Sequence, residues 1–299
     1  MTILIGILEQ GLIYAVMALG LYITYVILDL PDLTVDGSFP LGAAVCVTLI
    51  VAGVNPVISL LISFMAGLLA GIITGIIHVK FGIRDLISGI IVMTGLYTIN
   101  LLIAGKSNVP IFEATTIFNN KILKQLPESF TSYHVLLILI PIVFLCNLAL
   151  NSYLQTKSGL LLRSVGDNQN LVTTMAKDPG NMKILGLALA NGLVALSGGI
   201  LAQQQRFFEA SQGAGTMVMG LASVIIGLRL FARIKFISLP LKVIFGSIIY
   251  KAIVAVAIAL GLSANSLKLI TAVLLLAILM ISEQRKKEKL QKKGDDEHA

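Results

Sequence analysis

Few residues in this sequence have the types and spacings that carry chemistry, and those few exclude more than they admit. Ala104–Ser107 reads AGKS, like the close of a phosphate-binding loop. Such a loop also needs a glycine five residues before its second glycine and a strand ahead of it, because its backbone amides cradle the phosphates. Here that position is Asn100, near the end of an apolar run, so this chain is not expected to hydrolyse ATP itself. No Gly-x-Ser-x-Gly or His-Glu-x-x-His pattern occurs, which leaves an intramembrane enzyme unsupported. His78 and His134 stand at the ends of apolar runs, far apart, and His298 lies in the tail. Cys46 and Cys146 fall inside apolar runs and read as buried thiols, with no metal or disulfide framework.

Carriers driven by protons or sodium commonly place carboxylates within their spans. The apolar runs between residues 57 and 282 contain no Asp or Glu. Glu9, near the start of the first run, reads as an interfacial cap or surface group. Lys251 is the exception in the later runs: counted from Leu239 it lies about 15–18 Å into the membrane at 1.5 Å per residue. A cation there faces protein or water, so Lys251 either lines a pathway or pairs with a neighbouring chain. The remaining pathway candidates are polar groups near external or broken-helix regions: Asp36, Ser38, Asn100, Gln203, Gln204 and Glu209. The plain alternative for each is satisfaction of a helix end.

The elements that must position these residues follow from composition. The chain has 299 residues, 57% hydrophobic and 12% charged, with a mean hydropathy of +0.94. Soluble domains are about 45–50% apolar and about 25% charged, so the natural solvent of this chain is lipid. The apolar runs lack the alternation of a barrel strand, which points to an all-α, polytopic bundle. Candidate spans cover 2–28, 40–53, 57–79, 86–105, 134–151, 184–205, 214–231, 239–260 and 266–282, about nine or ten crossings at roughly 20 residues each. The run 40–53 is short, and short or broken helices are tolerated where they line a cavity.

The net charge of +7 comes from short segments between spans and from the tail, a positive-inside bias and not a nucleic-acid surface. Residues 78–84, 157–163, 229–235 and the basic stretch of the tail (285–293) are assigned to the cytoplasm, with 106–133 as the longest external loop. The acidic connector 29–38 leaves the side of the N-terminus open; an N-terminus inside requires one extra crossing within 29–53. Gly67, Gly71 and Gly75 share one helix face, and Ala195 and Gly199 repeat that four-residue spacing, which favours close helix packing. Residues 1–282 form one transmembrane domain, and 283–299 form a charged cytoplasmic tail beside anionic lipid.

The longest patterned polar interruption is residues 158–170, SGLLLRSVGDNQN. Gly159 is read as breaking the incoming helix, Leu160–Leu162 as an apolar face, and Arg163, Asp167 and Asn168 as polar contacts. Asp167 is a potential cap for a helix starting at Asn168, and Asp178-Pro179-Gly180 reads as a turn. On pattern alone the segment reads first as an ordinary loop with a surface helix. It resembles, however, the cytoplasmic motif G-x-x-x-R-A-V-G-x-N of ABC importer permeases of the branched-chain amino acid and ribose group. Gly159, Arg163, Val165, Gly166 and Asn168 match, with Ser164 in place of Ala. Residues 182–202 (MKILGLALANGLVALSGGILA), 9–25 (EQGLIYAVMALGLYITY) and 31–44 (PDLTVDGSFPLGAA) resemble the family's corresponding segments, in the right order.

The resemblance implies a permease dimer, with a second copy of this chain as the favoured partner, two ABC ATPase subunits on the cytoplasmic face, and an extracytoplasmic solute-binding protein. ATP and Mg would belong to the ATPase, so no cofactor is expected in this chain. It implies a coupling role for Arg163, Gly166, Asp167 and Asn168, within about 158–180. It also implies a multi-pass protein of a prokaryotic plasma (inner) membrane, with its C-terminus cytoplasmic. Residues 35–43 (VDGSFPLGA), 201–210 (LAQQQRFFEA) and 220–227 (GLASVIIG) are most similar to permeases paired with tryptophan/tyrosine-type binding proteins, although Leu228 and Arg229 stand where that subgroup often has an acidic residue. The expected function is ATP-driven import of a small solute, an aromatic amino acid first. The alternatives are a sugar, nucleoside or branched-chain amino acid permease, or a passive channel or facilitator.

Overall fold

The structure, a computed structural model, describes residues 2–119, 133–167, 172–173, 178–234 and 236–260, with 269, 272–273, 276 and 280 beyond them. Helix α1, Thr2–Leu21, continues into a π-helical stretch, Tyr22–Ile27, and α2 follows at Val35–Val51. Then come α3 (Pro56–Val79), α4 (Asp85–Ala104), α5 (His134–Gln155), α6 (Lys157–Asp167), α7 (Pro179–Gln205), α8 (Thr216–Leu230) and α9 (Leu239–Ala259). Among the described residues seven helical segments are long and apolar enough to cross a membrane, while α2 is shorter. The candidate span 266–282 and the tail lie almost wholly outside the described residues.

Local chemistry sets the helix ends. Pro56 opens α3 behind Asn55, whose side chain accepts from Val57 N; Pro179 opens α7 behind Asp178, which accepts from Gly180 N. A proline at the first helical position loses no bond, and the preceding Asn or Asp satisfies a free amide. Asp178–Gly180 is therefore a cap and first turn, not a separate turn, and the span starts at Pro179 instead of 184. Gly105 ends α4 with φ of 73°, a left-handed conformation that glycine adopts without strain. The break before α6 also differs from expectation. It falls at Thr156, whose ψ of 164° is extended, because the Thr156 hydroxyl accepts from Gly159 N at 3.2 Å. Gly159 lies inside α6, where a Cβ would meet the Leu154 backbone at 2.5 Å.

Helix α7 is the axis of the bundle, the most buried of the spans at 72%. Gly67, Gly71 and Gly75 of α3 press on Asn191, Leu187 and Ile184 of α7, as their spacing predicts, and Ala195 fits against Gly42 of α2 as well as Gly67. Gly20 of α1 meets Ala190, and Gly198 meets Phe39 of α2. On the far side, α9 packs on α8 at Gly227 and Gly246 and on α1 at Gly11. Such stripes bring backbones close enough for dispersion and side-chain-to-backbone bonds to hold helices together where the hydrophobic effect is weak. Ser197 donates to Ile13 O and Ser247 to Gly11 O in this way.

Two pairings orient the bundle. The start of α1 lies beside the end of α7, with Gln204 donating to the Glu9 carboxylate and accepting from Gln10 Nε2, both at 3.4 Å. The end of α1 lies against α6, and the start of α7 lies beside Val79 at the end of α3. The N-terminal end of α1 is thus on the face opposite the cationic loops 78–84 and 157–163. No additional crossing occurs within 29–53, because α2 makes the return. On the α7-end face, Asn108–Pro110 pairs antiparallel with Phe207–Glu209. This short ribbon had no sequence signal, since three residues cannot display a period.

Candidate functional site

Proline placement shapes the start of α2. Pro40 lies inside that helix and cannot donate to the Asp36 carbonyl; Gly213 packs directly on this freed oxygen and on the Pro40 ring. The chain from Ala210 to Gly215 is thereby laid across α2, where the Asp36 side chain receives it. The Asp36 carboxylate accepts from Gly215 N (3.0 Å), the Thr216 hydroxyl (3.0 Å) and Met217 N (2.7 Å). It caps α8 from another helix, a carboxylate at the positive end of a helix dipole.

A cavity of about 500 Å³ opens between the start of α2, α4 and Ala210–Gly215. Asp36, Gly37 and Pro40 form one wall, and Met93, Thr94, Tyr97, Thr98 and Asn100 form another. Asn100 is completely buried. Its Nδ2 donates to Gly37 O at 3.1 Å, which fixes the orientation of the amide, and its Oδ1 has no protein partner. A buried acceptor left unmade costs about 1–3 kcal/mol. Of the buried side-chain atoms without a partner among the described residues, Asn100 Oδ1 is the one whose residue lines this cavity.

The other expected pathway residues are not brought to the cavity. Ser38 donates to Asn191 Oδ1 at 2.7 Å. Gln203 is fully engaged: its Nε2 donates to Pro56 O and Cys46 Sγ, and its Oε1 accepts from Ile117 N. Gln204 ties α7 to α1, which makes Glu9 a bonded partner and not a helix cap. Glu209 lies in the short ribbon and accepts from the Ser211 hydroxyl. Lys251 sits in the α1–α9 seam with its Nζ 3.4 Å from the centroid of the Tyr14 ring, and Tyr14 stacks on Phe39 at 5.8 Å. A cation over an aromatic face is a contact within the chain.

A second polar cluster went unnoticed in the sequence. Asp32, in the connector between α1 and α2, accepts from Thr34 N (2.9 Å) and from Asn191 Nδ2 (2.7 Å), while the Thr34 and Thr74 hydroxyls bond at 2.9 Å. Burial pushes the Asp32 carboxyl above the ordinary carboxylate range, against the opposing pull of its bonds from Thr34 and Asn191. The available signal was Asn191 itself, a lone amide within the small and apolar stretch 184–202.

At the C-terminal end of α1, α6 is amphipathic. Gly159, Leu162 and Val165 are buried, and Leu160 is 53% exposed. Gly166 turns inward onto the Ile27 carbonyl and Leu28, Arg163 is half-buried and Asp167 is exposed. Gly166 is therefore the point at which α6 is fastened to α1. Asn168 lies outside the described residues.

Residues 3–281 match the family model described as branched-chain amino acid transport system / permease component. The chain is 42% identical over 279 residues to the tyrosine transport system permease protein of Clostridioides difficile, covering 93% of this chain and 91% of that one. It is 32% identical over 279 residues to an uncharacterized protein of Rickettsia prowazekii, covering 92% and 96%. Its fold is similar to PsaBC from Streptococcus pneumoniae in complex with Fab, with a TM-score of 0.54 at 15% identity over 95% of this chain and 94% of that one.

Proposed function

The chain belongs to the permease family of branched-chain amino acid transport systems, and from that premise we propose that it imports an aromatic amino acid by alternating access. ATP would be hydrolysed by separate ABC ATPase subunits bound at α6, and the solute delivered by a binding protein at the opposite face. The observation that carries this reading is the match to a tyrosine transport permease along nearly the whole of both chains. The structure supports it through α6, a short amphipathic helix pinned by Gly166 to α1 and by Gly186 to Leu162 and Leu28. A force applied to the exposed Leu160–Asp167 side would reach α1 and α7 together.

A second copy of the chain is part of the proposal. Tyr97 and Thr98 are exposed along one face of α4, and hydroxyls are poorly matched to hydrocarbon. Against a twofold-related α4 they would border an aqueous path. The orientation follows from the positive-inside bias: α6 and the 78–84 loop in the cytoplasm, the Asn108–Pro110 ribbon outside.

The test is ATP-dependent uptake of L-tyrosine into proteoliposomes, together with co-purification from native membrane in mild detergent. Because Gly166 packs inward, the coupling variant is Leu160→Ser combined with Asp167→Lys, which alters the exposed side alone. The expected result is an ATPase subunit that accompanies the parent and is lost with the variant, along with uptake. Uptake that equilibrates tyrosine without ATP would establish a facilitator in its place.

A further inference from the structure

We infer that Asp32 and Asn191 are positioning residues for transport: they carry displacement of α6 through α7 to the start of α2 and on to Ala210–Gly215. Their role in transport rests on α6 being the point where an ATPase subunit acts, while the first part of the test does not.

The segment that needs them is the connector between α1 and α2. It leaves the π-helical stretch through Asp29, whose φ of 52° is left-handed, and is neither helix nor strand before Val35. A connector of this kind normally runs over the surface and absorbs displacement. Here Leu28, Leu30, Asp32 and Thr34 are buried, and hydrogen bonds take up the slack. Leu28 N and Leu30 N donate to Ile23 O and Thr24 O, at 3.0 and 2.9 Å. Asp32 accepts from Thr34 N on one oxygen and from Asn191 Nδ2 on the other. The Thr34 hydroxyl reaches Thr74 of α3.

The route begins where α6 touches α7. Gly186 packs against both Leu162 of α6 and Leu28, so a push on α6 enters α7 and the connector at one place. Asn191 lies further along α7, and its amide grips both sides of the α2 start: Nδ2 donates to Asp32, and Oδ1 accepts from Ser38. Between those two residues stands Asp36, whose carboxylate holds Gly215, Thr216 and Met217. The start of α2 therefore cannot slide along α7 without breaking both Asn191 bonds, and Asp36 takes Ala210–Gly215 and the start of α8 with it. The polarity of the pair can be exchanged. Both Asp32 oxygens accept, and neither Thr34 N nor Asn191 Nδ2 can, so Asp32→Asn sets an amide nitrogen against a donor. Adding Asn191→Asp restores the pattern: the amide at position 32 donates to a carboxylate at 191, which still accepts from Ser38. The Leu187 carbonyl alone loses a donor.

The experiment places a thiol at the far end of the route, Ala214→Cys, exposed at the cavity. Its labelling rate with a water-soluble maleimide is followed in native membrane fragments, corrected for Cys46 and Cys146. The push at the near end is Gly186→Ala, whose methyl meets the side-chain ends of Leu28 and Leu162. It is expected to change the labelling rate about threefold or more, the size that coupled residues show. The change should vanish in the Asp32→Asn background and return when Asn191→Asp is added. Residues that only stabilise the fold would lower the yield and leave the effect of Gly186→Ala intact. No effect of Gly186→Ala in the parent, an undiminished effect with Asp32→Asn, or no return in the exchanged pair overturns the inference. If either variant fails to accumulate, Ser38→Ala, which removes the second Asn191 bond, decides: a reduced effect supports the route and an undiminished one overturns it. ATP with vanadate, added to the same fragments, tests the importer reading separately. No response to it beside an intact Gly186→Ala cycle would keep the route and sink the importer reading; a response with a failed cycle would do the reverse.

Discussion

The α3–α7 seam and the α4 wall are both built from small residues and lone polar groups, yet one is closed and the other open. In the seam every glycine step of α3 meets α7 backbone, and Asn191 bonds with Asp32, Ser38 and Leu187 O. On α4, Gly95 meets nothing within 4 Å, and Asn100 keeps an unpaired oxygen beside a cavity. A satisfied buried amide holds a structure together, and its loss leaves other groups stranded. An unsatisfied one is a standing cost to the fold.

The sharpest test of this contrast is Asn191→Leu. It strands the Asp32 carboxylate and the Ser38 hydroxyl inside the bundle, and should cost about 3 kcal/mol or more. Fluorescence-detected size exclusion after a thermal ramp should show early loss of the monodisperse peak; an unchanged transition would break the comparison. Asp36→Ala comes next, because it leaves the three donors at the start of α8 without their acceptor. A destabilisation of about 2 kcal/mol is expected from loss of a cap and its charge-assisted bonds, read in the same thermal ramp. The third test applies one substitution in both regions. Gly71→Ala drives a methyl into the Leu187 carbonyl and the Ala188 backbone and should cost about 1–3 kcal/mol. Gly95→Ala enters open space and should stabilise its helix by up to about 1 kcal/mol. Equal melting shifts would mean that the seam is not under the constraint described. The smallest effect on stability is expected of Asn100→Leu, below about 1 kcal/mol, because it removes a stranded acceptor while depriving Gly37 O of a donor. Its transition should stay near the parent's in the same thermal ramp.

The site was legible only in part. Asp36 and Asn100 were selected among the polar residues near broken or external helix ends, and the structure brings both to one cavity. Ser38, Gln203, Gln204, Glu209 and Lys251 were selected by the same rule and have internal partners instead. The rule detects a polar group in an apolar setting but carries no information about what stands opposite. Gly166 shows the same limit: its place in the motif was plain, but only the packed structure shows that it faces α1.

By itself the sequence determined the solvent, the helical class, the short second helix, the glycine face of α3 and the family. The first four follow from local composition and spacing, since transfer into lipid and helix periodicity act over about 20 residues of contiguous chain, and the family from the likeness of whole segments to known permeases. Only the tertiary structure decided which polar groups are satisfied. Asn191 meets Asp32 from 159 residues away, and Asp36 meets Met217 from 181. Such pairings arise from how helices pack on one another, and whether Asn100 Oδ1 finds a partner depends on that packing and on nothing local to the chain.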